Sequence, residues 1–216
     1  MLSRDEARAF YDRFGHKQDW QSIYEGRALR DLIDGGAFER ARSVLEIGCG
    51  TGSFAAELLE HRLPPDATYL GTEISSTMLG LAREKLAPYA DRASVVLTNG
   101  EPRLPYPDGA FDRFVANYVL DLLPAQEIVI LLAEARRVLA PEGRLCLISL
   151  TNGSGPFSRF VVWLWKRAHA IRPRFVGGCR PVDLRTFLPE RAWRVLEHEI
   201  VVAYGLPSQV VVAARR

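Results

Sequence analysis

Hydrophobic residues in the middle of the chain follow two alternating patterns. Short apolar runs occur near residues 43–47, 67–73, 93–98, 111–117 and 143–150, and each is typical of a buried strand. After Pro124, apolar residues recur every three or four positions, which predicts an amphipathic helix. These residues are Ile128, Leu131, Leu132, Ala135, Val138 and Leu139. Alternating strands and helices predict an α/β fold, with a parallel sheet and crossover helices.

The C-terminal pattern differs from the middle of the chain. Two strand-like runs, 195–203 and 209–214, flank the turn-rich stretch 204–208. Consecutive strands joined by a turn are typical of a hairpin. We therefore expect an antiparallel C-terminal hairpin that closes the sheet.

Composition narrows the class of protein. The chain has 216 residues, of which 48% are hydrophobic, a length and content that suit one soluble domain. Three cysteines without C-x-x-C spacing and four scattered histidines argue against a disulfide framework and predict no metal site. The N-terminus lacks the apolar stretch of a signal peptide, and no run is long enough to span a bilayer. We expect a cytoplasmic protein.

Three glycines with the spacing G-x-G-x-G, Gly48, Gly50 and Gly52, end the first predicted strand and precede a helix-like segment. Glycine permits a positive φ and, lacking Cβ, lets a ligand approach the main chain. The loop amides and the following helix N-terminus offer hydrogen-bond donors. The dinucleotide fingerprint requires a third glycine at position 53, where this chain has Ser53. The spacing therefore disfavours NAD.

With Glu46 before its glycines, this motif resembles the first motif of class I (Rossmann-like) S-adenosylmethionine-dependent methyltransferases. Residues 104–112 resemble the family's "lPfpdgsFD" passage. Residues 134–145 resemble its "E-x-x-R-v-L-k-P-G-G-x-l" junction, with Glu142 in place of the first glycine. The resemblance covers roughly residues 40–150 and is closest to the small-molecule "type 11" branch, which includes ubiquinone/menaquinone-biosynthesis-like enzymes.

This resemblance implies a three-layer fold around a seven-stranded, mostly parallel sheet with an antiparallel C-terminal hairpin and helical lid elements. We expect one methyltransferase domain over residues 1–216. Its parts would be an N-terminal helical lid (1–40), a cofactor-binding core (41–150), a lid insertion (151–194) and the hairpin (195–216). Additions over the carboxyl ends of the strands would select the substrate.

The resemblance also implies the cofactor, S-adenosyl-L-methionine, and its binding residues. Glu73 ends the second predicted strand, 21 residues after Gly52, close to where nucleotide-binding units carry a ribose-binding acid; a solvated strand-end Glu is the alternative. Asn117 would lie beside the methionine portion, or else cap a strand-to-helix turn. The implied set is Glu46, Gly48, Cys49, Gly50 and Gly52 for the methionine portion, Glu73 for the ribose, Ile74 and Met78 flanking the adenine, Asn99, Gly100 and Glu101 at its polar edge, and Asn117. Many relatives have Asp at position 99.

The methyl acceptor leaves a weaker signal in the sequence. Methyl transfer is an in-line displacement that mainly requires a close, aligned and suitably deprotonated acceptor. Candidate acceptor-side residues on the N-terminal lid or just after the fourth strand are Tyr11, His16, Lys17, Tyr24, Tyr118 and Asp121. The aromatic residues Tyr11, Phe14, Trp20 and Tyr24 are equally consistent with the buried face of a helix, and His16 is consistent with a structural role.

Residues 156–194 carry 9 basic and 2 acidic side chains. Within this block Phe157, Phe160, Val161, Leu164, Ala168 and Ile171 form one helical stripe, which we call the apolar stripe. We favour a lid helix that packs this stripe onto the domain. An interfacial helix that brings residues 157–174 to anionic lipid is the alternative, and would indicate a quinone or lipid precursor as substrate.

Three alternative functions can be weighed against the sequence motifs that each would require. Amino-directed nucleobase methyltransferases carry two prolines after the fourth strand, where this chain has Tyr118 and Val119, so nucleic acid is disfavoured as a partner. Lost cofactor residues would indicate a catalytically silent partner subunit, whereas here they are intact. A nicotinamide oxidoreductase conflicts with the glycine spacing. We therefore expect a methyltransferase acting on an O, N or C atom of a small organic acceptor.

Overall fold

The computed structural model describes residues 2–15 and 22–216, apart from the side chains of Phe14, Phe175 and residues 22–25. Its strands are β1 (Ser43–Ile47), β2 (Thr68–Glu73), β3 (Ala93–Leu97), β4 (Phe111–Asn117), β5 (Leu139–Leu150), β6 (Trp193–Ala203) and β7 (Leu206–Arg215). Its α-helices are α1 (Arg4–Phe14), α2 (Ser22–Gly36), α3 (Ser53–His61), α4 (Ser76–Leu86), α5 (Ala125–Val138) and α6 (Pro156–Ile171). The predicted alternation and the predicted hairpin are confirmed.

The seven strands form one sheet in the order β3-β2-β1-β4-β5-β7-β6. β1 to β5 pair in parallel, and β7 runs antiparallel to both β5 and β6. The strand order reverses between β1 and β4, and the carboxyl ends of strands at such a point border a crevice. The α/β fold predicted from the sequence is confirmed, and the site is expected at this edge.

Helices cover both faces of the sheet, which explains why its central strands are apolar almost throughout. On one face Val44 and Tyr69 pack with residues of α2, α3 and α4. On the other face Leu45 and Phe114 pack with residues of α5. This arrangement is a three-layer sandwich.

Two strands begin three or more residues before the predicted position. β5 begins at Leu139 rather than near 143, because α5 runs into it directly and Leu139 pairs with Phe111 before a register shift. β7 begins at Leu206 rather than at 209, because Leu206 and Pro207 already pair with β6, leaving Tyr204 and Gly205 as the turn.

The segment predicted as an N-terminal lid divides into two parts. α2 packs against β5, β6 and β7, with Leu32 fully buried, and so belongs to the core layer. α1 instead lies at the start of α4, where Asp12 Oδ1 accepts hydrogen bonds from Ser75 Oγ at 2.6 Å and from the Thr77 nitrogen at 3.3 Å. In the described part of the N-terminal segment, α1 is the helix placed to cover the site.

The favoured packing of α6 through its apolar stripe is wrong. Within the stripe Phe157, Phe160, Leu164 and Ile171 are exposed. The helix docks through another face, where Val162 is buried and the indole Nε1 of Trp165 donates to the Cys179 carbonyl at 2.9 Å. Amphipathic spacing locates an apolar surface but does not determine which face finds a partner, because that depends on residues distant in sequence.

Candidate cofactor and acceptor site

A cavity of about 1170 Å³ opens at the carboxyl ends of β1, β2 and β4. Its wall combines the glycine loop after β1 with the residues that follow β2, β3 and β4, together with α1 and the turn at 176–179. Small-molecule sites commonly enclose about 300–1,000 Å³. The cavity is therefore large enough for two ligands side by side.

The glycine loop has a conformation that other residues adopt only with strain. Gly48 and Gly50 have φ values of 67° and 56°, in the region that L-residues with a Cβ rarely occupy. A Cβ on Gly48 would also lie 2.7 Å from Val119 Cγ2. Between the two glycines, the Cys49 nitrogen donates to the Thr72 carbonyl at 3.0 Å, which fixes the loop to β2.

Gly52 has a packing role that the sequence did not indicate. It is the N-cap of α3, with φ 78°, and a Cβ there would lie 3.2 Å from the Ala82 Cα atom. Because Gly52 has no Cβ, α3 can pack closely on α4. Gly52 is not among the cavity-lining residues. The other members of the predicted cofactor set all line the cavity.

Glu73, at the end of β2, is tied to three backbone nitrogens. Its Oε2 accepts from Gly50 at 3.0 Å, and its Oε1 accepts from Ile74 and Ser75, both at 2.9 Å. The side chain is buried, and burial raises the pKa of its carboxyl. The carboxylate thus joins the glycine loop to the turn after β2, and Oε2, which accepts one hydrogen bond here, keeps lone-pair capacity for a ligand.

Glu46 lies deeper, below the glycine loop. It accepts hydrogen bonds from the Tyr69 hydroxyl and from Asn117 Nδ2, the latter at 3.3 Å. Burial, with a smaller effect from the charge of Glu73, raises the pKa of Glu46 to about 7. Asn117 Oδ1 is buried without a hydrogen-bond partner among the described residues. Two carboxyls and an unpaired amide oxygen make this end of the cavity suitable for a cationic, hydrogen-donating ligand.

The residues after β3 form a second wall. Asn99 Oδ1 accepts from the Glu101 nitrogen at 3.0 Å, which holds the turn. Gly100 has φ 76°, and a Cβ there would lie 3.0 Å from Ile74 Cγ2. Together with the apolar side chains of Ile74 and Met78, these polar residues line the cavity.

The structure brings three of the acceptor-side candidates to the cavity: Tyr11, Tyr118 and Asp121. Tyr118 has a left-handed φ of 55°, and its hydroxyl lies 2.8 Å from Ser208 Oγ. His16 and Lys17 lie outside the described residues, as does the side chain of Tyr24. Whether any of them faces the acceptor stays a prediction.

Asp121, one of the predicted acceptor-side residues, is fully buried and lines the cavity. Its Oδ2 accepts from the Leu150 nitrogen at 3.3 Å. Burial raises the pKa of its carboxyl to about 7, opposed by smaller effects of nearby hydrogen bonds and of the Arg180 guanidinium. A carboxyl with this pKa can exchange a proton near neutral pH.

Sequence reasoning missed several cavity residues. Arg4 of α1 forms an ion pair with Glu127 of α5 at 2.8 Å, and both line the cavity. Glu6 of α1 also pairs with Arg174 at 3.1 Å, which ties α1 to the turn that follows α6. No local pattern signals contacts between residues more than a hundred positions apart.

In the described part of the chain, every helix falls short of the length and apolar content needed to cross a bilayer.

Comparison with known proteins agrees with this geometry. A "Methyltransferase domain" family model matches residues 44–143. A demethylmenaquinone methyltransferase from Shouchella clausii is 30% identical over 166 residues, 76% of this chain and 69% of that protein. One from Symbiobacterium thermophilum is 33% identical over 135 residues, 61% of this chain. The chain spans about half the length of several curated relatives, 51% in the latter case.

A structural neighbour supports the same fold. The geranyl diphosphate C-methyltransferase from Streptomyces coelicolor, solved with Mg²⁺, geranyl diphosphate and S-adenosyl-L-homocysteine, superposes with a TM-score of 0.72. The match covers 99% of this chain and 97% of that one at 11% identity, which bears on the fold alone.

The fold and the glycine-loop site define a class I methyltransferase. Within that class, the relatives show that the chain belongs to the ubiquinone/menaquinone-biosynthesis-like branch.

Proposed function

We propose that this protein is an S-adenosyl-L-methionine-dependent methyltransferase that acts on an O, N or C atom of a small hydrophobic acceptor. The observation that carries the proposal is the convergence of two features on one cavity. The glycines of the loop have positive φ angles and no Cβ, so a ligand can approach the loop's main chain. The buried Glu73 carboxylate lies 3.0 Å from the Gly50 nitrogen.

The residues present fit the cofactor. Glu73 Oε2 has acceptor capacity for a ribose hydroxyl, and the apolar side chains of Ile74 and Met78 would flank the adenine. Asn99, Gly100 and Glu101 would lie at its polar edge. The carboxyl of Glu46 and the unpaired Asn117 Oδ1 suit the cationic methionine end. When bound, the cofactor supplies an electrophilic methyl group on a sulfonium, which becomes a neutral thioether.

The rest of the cavity supports a hydrophobic acceptor. Its lining beyond the glycine loop includes Phe10, Tyr106, Leu122, Leu123 and Trp165. Several relatives are named as demethylmenaquinone methyltransferases. A quinone precursor is therefore the acceptor class that we propose to test first.

In this scheme the protein positions the acceptor and manages its proton. Methyl transfer in an in-line geometry gains most from holding the reacting atoms close and aligned. Asp121, with a pKa raised to about 7 by burial, would accept the acceptor's proton. Tyr118, held by Ser208, would position the acceptor beside it.

The three cysteines are thiols rather than disulfides, which supports a reducing, cytoplasmic location.

The first test is calorimetric titration of the full chain with S-adenosylmethionine and S-adenosylhomocysteine, with NAD as the control ligand. We expect saturable binding of the first two and none of NAD. Transfer of a labelled methyl group to a panel of reduced quinones, measured by extraction into organic solvent, then tests the acceptor. Binding of neither sulfur compound would overturn the proposal. Binding without transfer to any acceptor would favour the silent partner subunit.

A further inference from the structure

The outward side of α6 carries large apolar side chains. Phe157, Phe160, Trp163, Leu164 and Ile171 are each at least 47% exposed, and we call them the exposed face of α6. The Phe160 and Trp163 rings stack with centroids 6.1 Å apart. Contiguous apolar patches of this kind mark protein or membrane interaction sites.

The apolar surface extends beyond the helix to the turn between β6 and β7. A Cβ on Gly205 would lie 2.7 Å from Phe157 Cε1, so the turn and the helix are in contact. Next to this glycine, Tyr204 is 77% exposed. The tip of the hairpin therefore enlarges the exposed face of α6.

Positive charge lies along α6. Residues 156–182 contain no Asp or Glu, and their cationic residues are Arg159, Lys166, Arg167, Arg172, Arg174 and Arg180. Arg174 pairs with Glu6, and Arg180 donates to the Leu123 carbonyl at 2.7 Å, so these two are engaged by other parts of the domain. Among the described residues, Arg159 and Arg167 have no carboxylate within 4.0 Å, and the Arg167 guanidinium lies 5.3 Å from the Trp163 ring centroid. Aromatic residues flanked by such cations are characteristic of helices that lie in the headgroup region of a membrane.

We infer that the exposed face of α6, with the tip of the β6–β7 hairpin, docks onto an anionic lipid bilayer. A 16-residue helix is about 24 Å long, too short to span the hydrocarbon core of roughly 30 Å, so the helix lies in the surface. A second copy of the chain is a poorer occupant, because a symmetric contact would bring the same cations together. Anionic headgroups complement the charge.

The opposite side of α6 gives this docking a consequence. Trp165 lines the cavity, as do Val176 and Cys179 in the turn that follows the helix. Contact of the exposed face with lipid therefore places one wall of the cavity at the membrane surface. A hydrophobic acceptor then enters from the bilayer without crossing water. This consequence rests on the proposed function, whereas the docking itself does not.

The test is co-sedimentation of the full chain with vesicles of phosphatidylcholine alone or with about one third phosphatidylglycerol. Measurements at about 50 and 300 mM NaCl separate the electrostatic contribution, because salt screens the attraction. We expect binding to the anionic vesicles that weakens at least fivefold at the higher salt, and little binding to phosphatidylcholine alone. No binding to anionic vesicles at either salt concentration would overturn the inference.

Paired variants assign the binding to this surface. Phe160→Gln with Leu164→Gln, and separately Arg159→Glu with Arg167→Glu, should each reduce vesicle binding at least tenfold. The matched controls are Val129→Gln with Ile130→Gln, exposed on α5, and Arg191→Glu with Arg194→Glu, exposed in the turn before β6 and on its second residue. Controls that lose binding equally would refute the assignment to α6.

Two further readouts separate this inference from its rivals. Analytical ultracentrifugation of wild type and of the Phe160→Gln, Leu164→Gln variant tests for a dimer. If wild type is a dimer and the variant is not, the exposed face of α6 binds a second copy of the chain, and the inference of membrane docking is overturned. Calorimetry with S-adenosylmethionine should be unchanged in both α6 variants. Lost vesicle binding with intact cofactor binding supports the inference, and failure of vesicle binding alone leaves the proposed function standing.

Discussion

Glu73 Oε2 accepts a hydrogen bond of 3.0 Å from the Gly50 nitrogen, and this contact joins the end of β2 to the glycine loop after β1. The same carboxylate accepts from the nitrogens of Ile74 and Ser75. A side chain predicted to bind the ribose therefore also organises the main chain around it. Preorganised acceptors bind a ligand without a further ordering cost.

Glu73→Ala should weaken S-adenosylmethionine binding by more than about 1 kcal/mol, that is at least about fivefold, because charge-assisted hydrogen bonds are lost and the glycine loop is released. Glu73→Gln keeps one acceptor oxygen, so its affinity for S-adenosylmethionine should lie between those of wild type and Glu73→Ala. Calorimetry measures both. Glu60→Ala, on the exposed side of α3, is the control and should bind like wild type. Unchanged affinity in Glu73→Ala would refute the ribose assignment.

Gly52→Ala should lower the free energy of unfolding by about 1–2 kcal/mol, because Gly52 has φ 78° and a Cβ would press on the Ala82 backbone at 3.2 Å. Gly80→Ala is the matched control. Gly80 lies in α4, where an added Cβ would meet no atom of the described residues within 4 Å, so alanine should stabilise the helix by about 0.5–1 kcal/mol. Urea unfolding of the two variants should give shifts of opposite sign; equal shifts would contradict the structural role of Gly52.

Asp12→Ala should release α1 from the start of α4, because Asp12 accepts from both Ser75 Oγ and the Thr77 nitrogen. Amide hydrogen exchange over residues 4–14 should accelerate at least tenfold. Asp5→Ala in the same helix is the control, since the Asp5 side chain is 94% exposed and lies 3.9 Å from Arg8. Equal exchange in the two variants would show that the Asp12 contact does not hold α1.

The buried carboxyl of Asp121 should make the free energy of unfolding depend on pH, with a defined sign. Burial raises the pKa of its carboxyl from 3.8 to about 7. Between these values the unfolded chain has released the proton while the folded chain retains it, so the free energy of unfolding falls as pH rises from about 4 to 7. Asp121→Asn should remove up to roughly 4 kcal/mol of that fall.

Urea unfolding at closely spaced pH values measures the slope. Glu46, whose pKa burial also raises to about 7, contributes a fall of the same sign that persists in Asp121→Asn. The informative quantity is thus the difference between wild type and variant. The exposed Asp66→Asn is the control. A wild-type slope identical to that of Asp121→Asn would refute the raised pKa.

The strands and their ends were predictable because burial on both faces imposes a local apolar pattern on each strand. The residues that end β1 and β2, among them Gly48 and Glu73, follow from the same pattern, and the structure places them together because parallel strands end at one edge. The β5 boundary differed because Leu139 pairs with Phe111, a contact 28 positions away along the chain.

Other parts of the site depend on distant contacts. The Arg4–Glu127 ion pair joins residues 123 positions apart, and the docked face of α6 includes buried Val162 and Trp165, which donates to the Cys179 carbonyl. Neither leaves a periodic signal in the chain. The raised pKa of Asp121 likewise arises from burial, which depends on the whole packed domain.

The sequence by itself determined the alternating α/β fold, the positions of most strand ends and the residues around the glycine loop, because these follow from periodicity and from the backbone freedom of glycine. Only the tertiary structure decided that Gly52 packs against Ala82, that α2 joins the core layer while α1 lies at the cavity, and that α6 exposes its apolar stripe. The physical reason is that side-chain burial depends on neighbours brought together by folding, whereas strand and turn preferences act between residues adjacent in the chain.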